Sequence, residues 1–193
     1  MTDSEAFVER LNNLFGREPV VRTIDSTTPG LPPVSCFIYR DVPQAGMMTA
    51  VTYGLSLADH PDWRYGKPEL VLTVKSTDES WALTMALLAE RFRGEKSFTY
   101  GSLFALEEPI SAESQIRAFL VFVPAILDHE TLKIMLPTRT VNLAGMYPIQ
   151  AGEMELIQKI GLEDFWRLPV LDMSDVGRPE VPEDPWGTIG GPP

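Results

Sequence analysis

The sequence predicts an α+β fold in which a helix packs on a β-sheet. Residues 70–74 form a short apolar run with β-branched side chains, bounded by Pro68 and Ser76, which is typical of a buried strand. An apolar stripe follows at helical spacing, and Gly94 can end the helix; the stripe comprises Trp81, Met85, Leu88 and Phe92. A strand that leads into a helix with one apolar face indicates that the helix covers the sheet.

Capping signals predict where two helices begin. Thr2 with Glu5, and Ser76 with Glu79, each have the spacing of a capping box, in which the two side chains bond free N–H groups of the first turn. The first box precedes a helical pattern that Gly16 can end. One apolar face of that pattern comprises Phe7, Leu11, Leu14 and Phe15. We therefore expect an amphipathic helix at the N-terminus.

The other strands follow from apolar runs separated by turn residues. Residues 34–39 and 47–57 flank the turn-like stretch 41–46 and predict a hairpin, preceded by a short strand at 20–24. In the second hairpin strand, one predicted face holds Met48, Ala50, Thr52 and Gly54, and the other holds Val51, Tyr53 and Leu55. Further strands are predicted near residues 103–106, 116–126 and 141–149.

Proline and glycine set the expected limits of the later elements. Residues 116–126 are apolar on both faces, as in a strand covered on two sides that ends near Pro124. Gly145 and Pro148 are expected to interrupt the strand at 141–149. A last helical pattern lies in residues 151–168, where Met154, Ile157, Gly161 and Phe165 repeat at helical spacing. Gly161 within this pattern indicates close approach of another backbone. The acidic, Pro/Gly-rich residues 179–193 read as a loosely held tail.

Composition bounds the function. A chain of 193 residues is one domain's worth, and its net charge of −11 argues against a basic nucleic-acid-binding surface. The charge serves either solubility or an acidic face that meets a basic partner. The N-terminus lacks a secretion signal and no stretch is long enough to span a membrane, so we expect a cytoplasmic protein. The single cysteine, Cys36, excludes an internal disulfide and is expected to be buried and inert.

No motif for catalysis or metal binding emerges. His60 and His129 are the only histidines and lie far apart, and one cysteine cannot form a thiolate site. Residues 54–57 lack the second glycine of a serine-nucleophile elbow, and no phosphate-binding glycine loop occurs. Adjacent Glu107 and Glu108 would point to opposite faces of a strand. The sequence therefore predicts no catalytic residue, no metal and no cofactor.

Aromatic side chains in a polar loop are the best candidates for a binding surface. Trp63 and Tyr65 lie in residues 59–66, where no apolar stripe explains them, and such side chains often anchor protein interfaces. The alternative is that the loop folds back and they cap the core. The candidate partner-binding residues are Tyr53, Asp59, His60, Trp63 and Tyr65.

Three segments together resemble the suppressor-of-fused (SUFU-like) domain family. They are TAVTYGLSL, PELVLTVKSTDESWALTMALLAERF and MYPIQAGEMELIQKIGLEDF, in the family's order and rough spacing. The last is similar to the family's hallmark stretch, and the resemblance covers roughly residues 7–178. The hallmark positions are Pro148, Ile149, Glu153 (or Glu155), Gly161 and Phe165.

The resemblance implies an α/β/α sandwich, with helices on both sides of a mixed, mostly antiparallel sheet, over residues 1–178. It implies a protein-binding role without enzymatic activity. The animal family member holds a transcription factor by gripping an extended peptide between two domains, and this chain is too short for the second. Standalone bacterial relatives look like immunity proteins that neutralise toxins. The peptide-gripping residues do not transfer position by position.

The leading hypothesis is therefore a cytoplasmic immunity protein that blocks a toxin domain by direct contact, as a monomer or weak homodimer. One alternative is a hydrolase with a site near Asp59 and His60. The other is a regulatory or scaffolding domain without a toxin partner.

Overall fold

The computed structural model of the chain describes residues 1–169 and 171–186. Over these residues the helices are α1 (Asp3–Phe15), α2 (Ser80–Phe92), α3 (Ala151–Ile160) and α4 (Leu162–Trp166). The strands are β1 (Val20–Ile24), β2 (Val34–Arg40), β3 (Met48–Tyr53), β4 (Lys67–Val74), β5 (Leu103–Ala105), β6 (Ala118–Phe122), β7 (Lys133–Met135) and β8 (Thr140–Ile149). Two 3₁₀ turns, Leu55–Leu57 and His129–Thr131, lie between strands.

The strands form one mixed sheet in the order β1-β2-β3-β4-β8-β6-β5, and β7 pairs with the start of β8. β4 and β8 are parallel, whereas the other neighbours pair antiparallel. β2 and β3 form the predicted hairpin, with Cys36 opposite Thr52. The expected mixed, mostly antiparallel sheet is confirmed.

Helices cover both faces of the sheet. On one face, α2 buries Trp81, Ala82 and Met85 against side chains of β2, β3, β4, β6 and β8. On the other face, α1 places Phe7 and Leu11 over β2, β3, β4 and the start of β8. Beside α1, helices α3 and α4 cover β6 and the end of β8. The expected α/β/α arrangement is confirmed, and Cys36 is a buried free thiol within the first cluster.

One of the two predicted capping boxes forms. Thr2 and Glu5 bond each other's backbone N–H groups at the start of α1, and Gly16 ends that helix with φ of 65°. The predicted box of Ser76 and Glu79 is wrong, because α2 begins at Ser80 and Glu79 itself occupies the N-cap position without a capping bond. The Ser76 hydroxyl accepts the N–H of Asp78 at 3.0 Å and donates to Glu113. The Glu79 carboxylate pairs with Arg22 and Arg40. At this end, Asp78 accepts the N–H of Ser80 at 2.9 Å.

The second hairpin strand is shorter than predicted. β3 ends at Tyr53 because Gly54 adopts φ of +138° and lies against β2, where an added Cβ would be 2.9 Å from Val34 Cα. This turn reverses the alternation of side chains, so Leu55 packs in the same cluster as Met48 and Ala50. The prediction that Leu55 shares a face with Val51 is therefore wrong.

Two other glycine predictions are also corrected. β8 runs without a break through Gly145 and Pro148, and a Cβ at Gly145 would lie 3.0 Å from the Phe122 carbonyl oxygen and the Pro124 Cα. Gly161 has no atom near its Cβ position, so backbone approach does not explain it. Its φ of +88° instead separates α3 from α4.

A buried ion pair fixes the chain after α4. The Arg178 guanidinium donates to both Glu153 oxygens of α3, at 2.5 and 2.6 Å. The N–H of Val181 donates to the same carboxylate at 3.0 Å, and Glu180 accepts the N–H of Gly152 at 2.7 Å. The proposed boundary at residue 178 stays a prediction, and residues 187–193 of the expected tail lie outside the described part of the chain.

We predict that Arg178→Ala destabilises the fold by about 3–5 kcal/mol, because it leaves the buried Glu153 carboxylate without its counter-charge. Urea denaturation followed by tryptophan fluorescence measures the change. Arg167→Ala is the matched control, since Arg167 pairs with Glu163 at the exposed surface, and its effect should stay within about 1 kcal/mol. Equal effects of the two substitutions would contradict the role of the buried pair.

Candidate functional site

A groove of about 700 Å³ opens on the α2 face of the sheet, at the ends of β4 and β8 where both strands begin. Its floor includes Pro68 of β4 and Ala144 of β8. Three segments form the walls: the loop before β4, the loop after α2, and the chain around the start of β7. We call it the aromatic groove; its main side chains are Trp63, Tyr65, Phe98, Tyr100, His129, Lys133 and Asn142.

The loop between β3 and β4 is held down at several points. Trp63 packs against the core and its indole N–H donates to the Ser97 carbonyl at 2.6 Å, which joins this loop to the one after α2. Gly66, with φ of +139°, passes so close to Asn142 that an added Cβ would lie 2.5 Å from its side chain. Lys67 donates to the Ala58 carbonyl at 2.8 Å. The loop is therefore a fixed wall of the groove.

The loop after α2 presents two more aromatic side chains. Phe98 is buried and stacks on Phe104 at 4.8 Å between ring centroids, although its φ of 50° is unusual for a bulky residue. Tyr100 lies edge-on to Phe122 at 5.5 Å, and partial burial raises the pKa of its hydroxyl. Strained backbone of this kind concentrates at functional sites. The strain at Phe98 lies in the wall of the groove.

A carboxylate lies at the turn that leads from β3 into the loop between β3 and β4. Glu69 of β4 is fully buried and accepts the N–H groups of Gly54 and Ser56 at 2.8 and 2.9 Å and the Thr52 hydroxyl at 2.7 Å. Burial raises the pKa of Glu69, against the lowering effect of these donors. The donors all point at the carboxylate, so Glu69 organises the turn and is not exposed to a ligand.

The two residues of the alternative hydrolase site, Asp59 and His60, each have other partners. Asp59 pairs with Lys67 at 2.6 Å, which lowers the pKa of the carboxyl group, and His60 Nδ1 accepts the backbone N–H of Asp62 at 3.2 Å. These two residues therefore use separate partners and do not form an acid–base pair. Among residues 1–169 and 171–186, no three His, Cys, Asp or Glu side chains are grouped as a metal site requires.

Four of the five candidate residues lie in the loop between β3 and β4. Trp63 and Tyr65 line the groove, and His60 lies beside Trp63 with ring centroids 5.5 Å apart. Asp59 extends into solvent at the start of the same loop. Tyr53 is on the other face of the sheet, where its ring contacts Phe7 and its hydroxyl accepts from Arg139 at 2.7 Å. Tyr53 therefore does not contribute to the groove.

Sequence reasoning missed the second wall. Phe98 and Tyr100 occur in the polar stretch GEKSFTYGS, so the argument that selected Trp63 and Tyr65 would have selected them too. Asn142 and Lys133 carry no comparable signal, because their place in the groove depends on which strands become neighbours.

Comparisons with known proteins agree with this fold. The family described as suppressor of fused protein (SUFU) matches residues 30–179. The chain belongs to the SUFU family. The resemblance expected from the sequence is thereby confirmed, and the walls of the aromatic groove lie within the matched region. No curated protein matches the chain.

Solved SUFU structures share the fold at low sequence identity. A SUFU homologue from Neisseria gonorrhoeae FA 1090 has a TM-score of 0.68 and 16% identity, covering 91% of this chain and 94% of that one. A chain of the Sufu–Fu complex has a TM-score of 0.68 and 15% identity, covering 91% and 90%. Drosophila Suppressor of Fused has a TM-score of 0.66 and 16% identity, covering 92% of this chain and 50% of its own.

This SUFU chain spans half the length of the Drosophila protein. Within the residues that the structure describes, no helix has the length and apolar character needed to cross a membrane.

We predict that Trp63→Phe destabilises the fold by at least about 1 kcal/mol, because it removes the N–H that the Ser97 carbonyl accepts and replaces the two-ring indole by a single ring. Amide hydrogen exchange should become faster in both loops that the bond joins. Tyr65→Phe is the control, since it removes a hydroxyl from an exposed side chain, and its effect should stay within about 0.5 kcal/mol. Unchanged exchange in Trp63→Phe would show that the bond does not hold the walls together.

Proposed function

We propose that this SUFU protein is a non-enzymatic protein-binding module and that the aromatic groove is its binding surface. One observation carries the proposal: Tyr65 is 85% exposed and Tyr100 is 54% exposed, and both line the same groove. Rigid aromatic side chains beside a pocket supply large contact area at low entropic cost, and they are enriched among the residues that dominate binding energy.

The groove is suited to a side chain of a protein partner. Phe98 and Trp63 give it an apolar interior, while Asp62, His129, Lys133 and Asn142 offer polar contacts at its edges. Anchor pockets at protein interfaces combine such an apolar centre with a polar rim. The Sufu–Fu complex supports this reading, since a protein of the same fold is named there together with a protein partner.

The finer proposal is a bacterial immunity protein that acts in the cytoplasm as a monomer or weak homodimer and blocks a toxin domain. The net charge of −11 supports a basic partner, such as a nuclease whose nucleic-acid groove the acidic surface would occupy. Complementary charge would raise the association rate and suppress wrong partners.

A tagged pull-down from the native cell, followed by mass spectrometry, tests the binding proposal. We expect the wild-type protein to recover one toxin-like polypeptide in near-equal amount. The double substitution Tyr65→Ala, Tyr100→Ala should reduce its recovery at least tenfold, because each anchor contributes about 1–2 kcal/mol or more. Leu87→Ala is the matched control, since Leu87 is 51% exposed on α2 and does not line the groove.

The outcomes separate the alternatives. Full recovery with the double variant would place the interface elsewhere on the molecule. A stable partner that is not a toxin would favour the regulatory or scaffolding role. Hydrolase activity that disappears in His60→Ala would contradict the non-enzymatic proposal.

The proposal that the acidic surface attracts a basic partner can be tested separately once that partner is purified. We predict that the association rate constant falls at least tenfold between about 20 mM and 500 mM NaCl, while the dissociation rate changes little, because salt screens steering between exposed charges. Stopped-flow fluorescence measures both rates. An association rate that does not change with salt would count against the acidic surface as a steering device.

A further inference from the structure

A second cavity, of about 350 Å³, lies on the opposite face of the sheet from the aromatic groove. It occupies the gap between α1 and the α3–α4 pair: Val71 on its floor packs with the α1 cluster, whereas Tyr147 packs with α4. We call it the sheet cavity. Its walls include Val71, Thr73, Ala125, Tyr147, Trp166 and Met173.

Two chain segments form the roof, and each is fixed to the sheet. The Tyr147 hydroxyl accepts the N–H of Ala125 at 2.7 Å and donates to the Val123 carbonyl at 2.6 Å, which holds the loop after β6. On the other side, Asp172 pairs with Lys75 at 2.5 Å, and the Lys75 N–H donates to the Ser174 carbonyl at 2.8 Å. Hydrogen bonds and an ion pair therefore hold both segments of the roof in place.

The polar side chains that line the cavity already have partners in the protein. The Thr73 hydroxyl bonds that of Thr49 at 2.9 Å, and the Ser174 hydroxyl donates to Asp172 at 2.7 Å. In the described part of the chain, the buried side-chain atoms that lack a hydrogen-bond partner belong to Ser56, Arg93, Arg139 and Arg178, none of which lines the cavity. A charged ligand would therefore find no unpaired buried side chain to replace its hydration, which favours an uncharged one.

We propose that the sheet cavity binds a small, uncharged aromatic molecule of one or two fused rings. The chemistry follows from the lining, in which Val71, Tyr147, Trp166 and Met173 supply apolar, aromatic and sulfur contacts. The size follows from the volume: a cavity of about 150 Å³ holds benzene, and drug-sized ligands need about 300–1,000 Å³.

The sheet cavity is separate from the aromatic groove, and the proposal for the cavity does not depend on the proposal for the groove. The floor of the cavity is formed by Val71 and Thr73 of β4, whereas the groove reaches Pro68 on the other face of the same strand. The two sites share no lining residue.

Indole is a suitable probe because it is neutral, has two fused rings and carries a single N–H. We expect the melting temperature of the wild-type protein to rise by about 3 °C when free indole exceeds its Kd tenfold. Val71→Phe extends a ring from the floor into the cavity and should abolish the rise. Val71→Ala enlarges the cavity and should keep it, while Tyr65→Ala, in the groove, should leave it unchanged.

Two-dimensional NMR of the wild-type protein keeps the test decisive if Val71→Phe does not fold. Indole should shift the amide signals of Ala125, Tyr147 and Ser174 in a saturable way and leave that of Tyr65, which is 85% exposed in the groove, in place. No saturable shift, or shifts confined to the groove, would overturn the proposal. A melting-temperature rise that survives in folded Val71→Phe would overturn it as well.

Discussion

The parallel pairing of β4 with β8 is the constraint on which the rest of the structure depends. It joins the antiparallel strands β1 to β4 to the group formed by β8, β6 and β5, and it carries the register from Lys67 opposite Val141 to Val71 opposite Gly145. Parallel neighbours need a long crossover, and α2 is part of it. The aromatic groove lies where both strands begin, and the sheet cavity lies further along them on the other face.

A fully buried carboxylate orders the chain beside each of these two sites. Glu69 orders the turn that leads into the groove loop, and Glu153 holds the chain after α4 whose earlier part roofs the cavity. Because burial raises the pKa of Glu69 in the folded protein, its protonation favours folding, so its contribution to stability falls as pH rises above the unfolded-state value of about 4.3. Removing either carboxylate would leave several donors without their acceptor.

Local patterns predict much of this fold, whereas long-range contacts limit what sequence can show. The Thr2 capping box, the hairpin and the two-sided burial of β6 follow from neighbouring residues alone. Ser76 fails as a cap because α2 begins only at Ser80, and its hydroxyl donates to Glu113, which is distant in sequence. The same limit applies to the site: Trp63 and Tyr65 stand out in their loop, but Asn142 joins them only through the β4–β8 register. Tyr53 does not join them, because strand alternation directs its side chain to the other face of the sheet.

The two sites differ in the kind of ligand they suit, and the strand between them is not an element that couples them. Coupling between sites requires an element with two arrangements that both ligands bias. Between groove and cavity lie Leu70 and Val71 of β4, which are buried on opposite faces and packed in separate clusters. β4 is paired on both edges, with β3 and β8. A close-packed strand of this kind has one arrangement, so β4 itself should not couple the two sites. The connection that remains is a series of ring contacts, in which Phe122 touches both Tyr100 of the groove and Trp166 of the cavity.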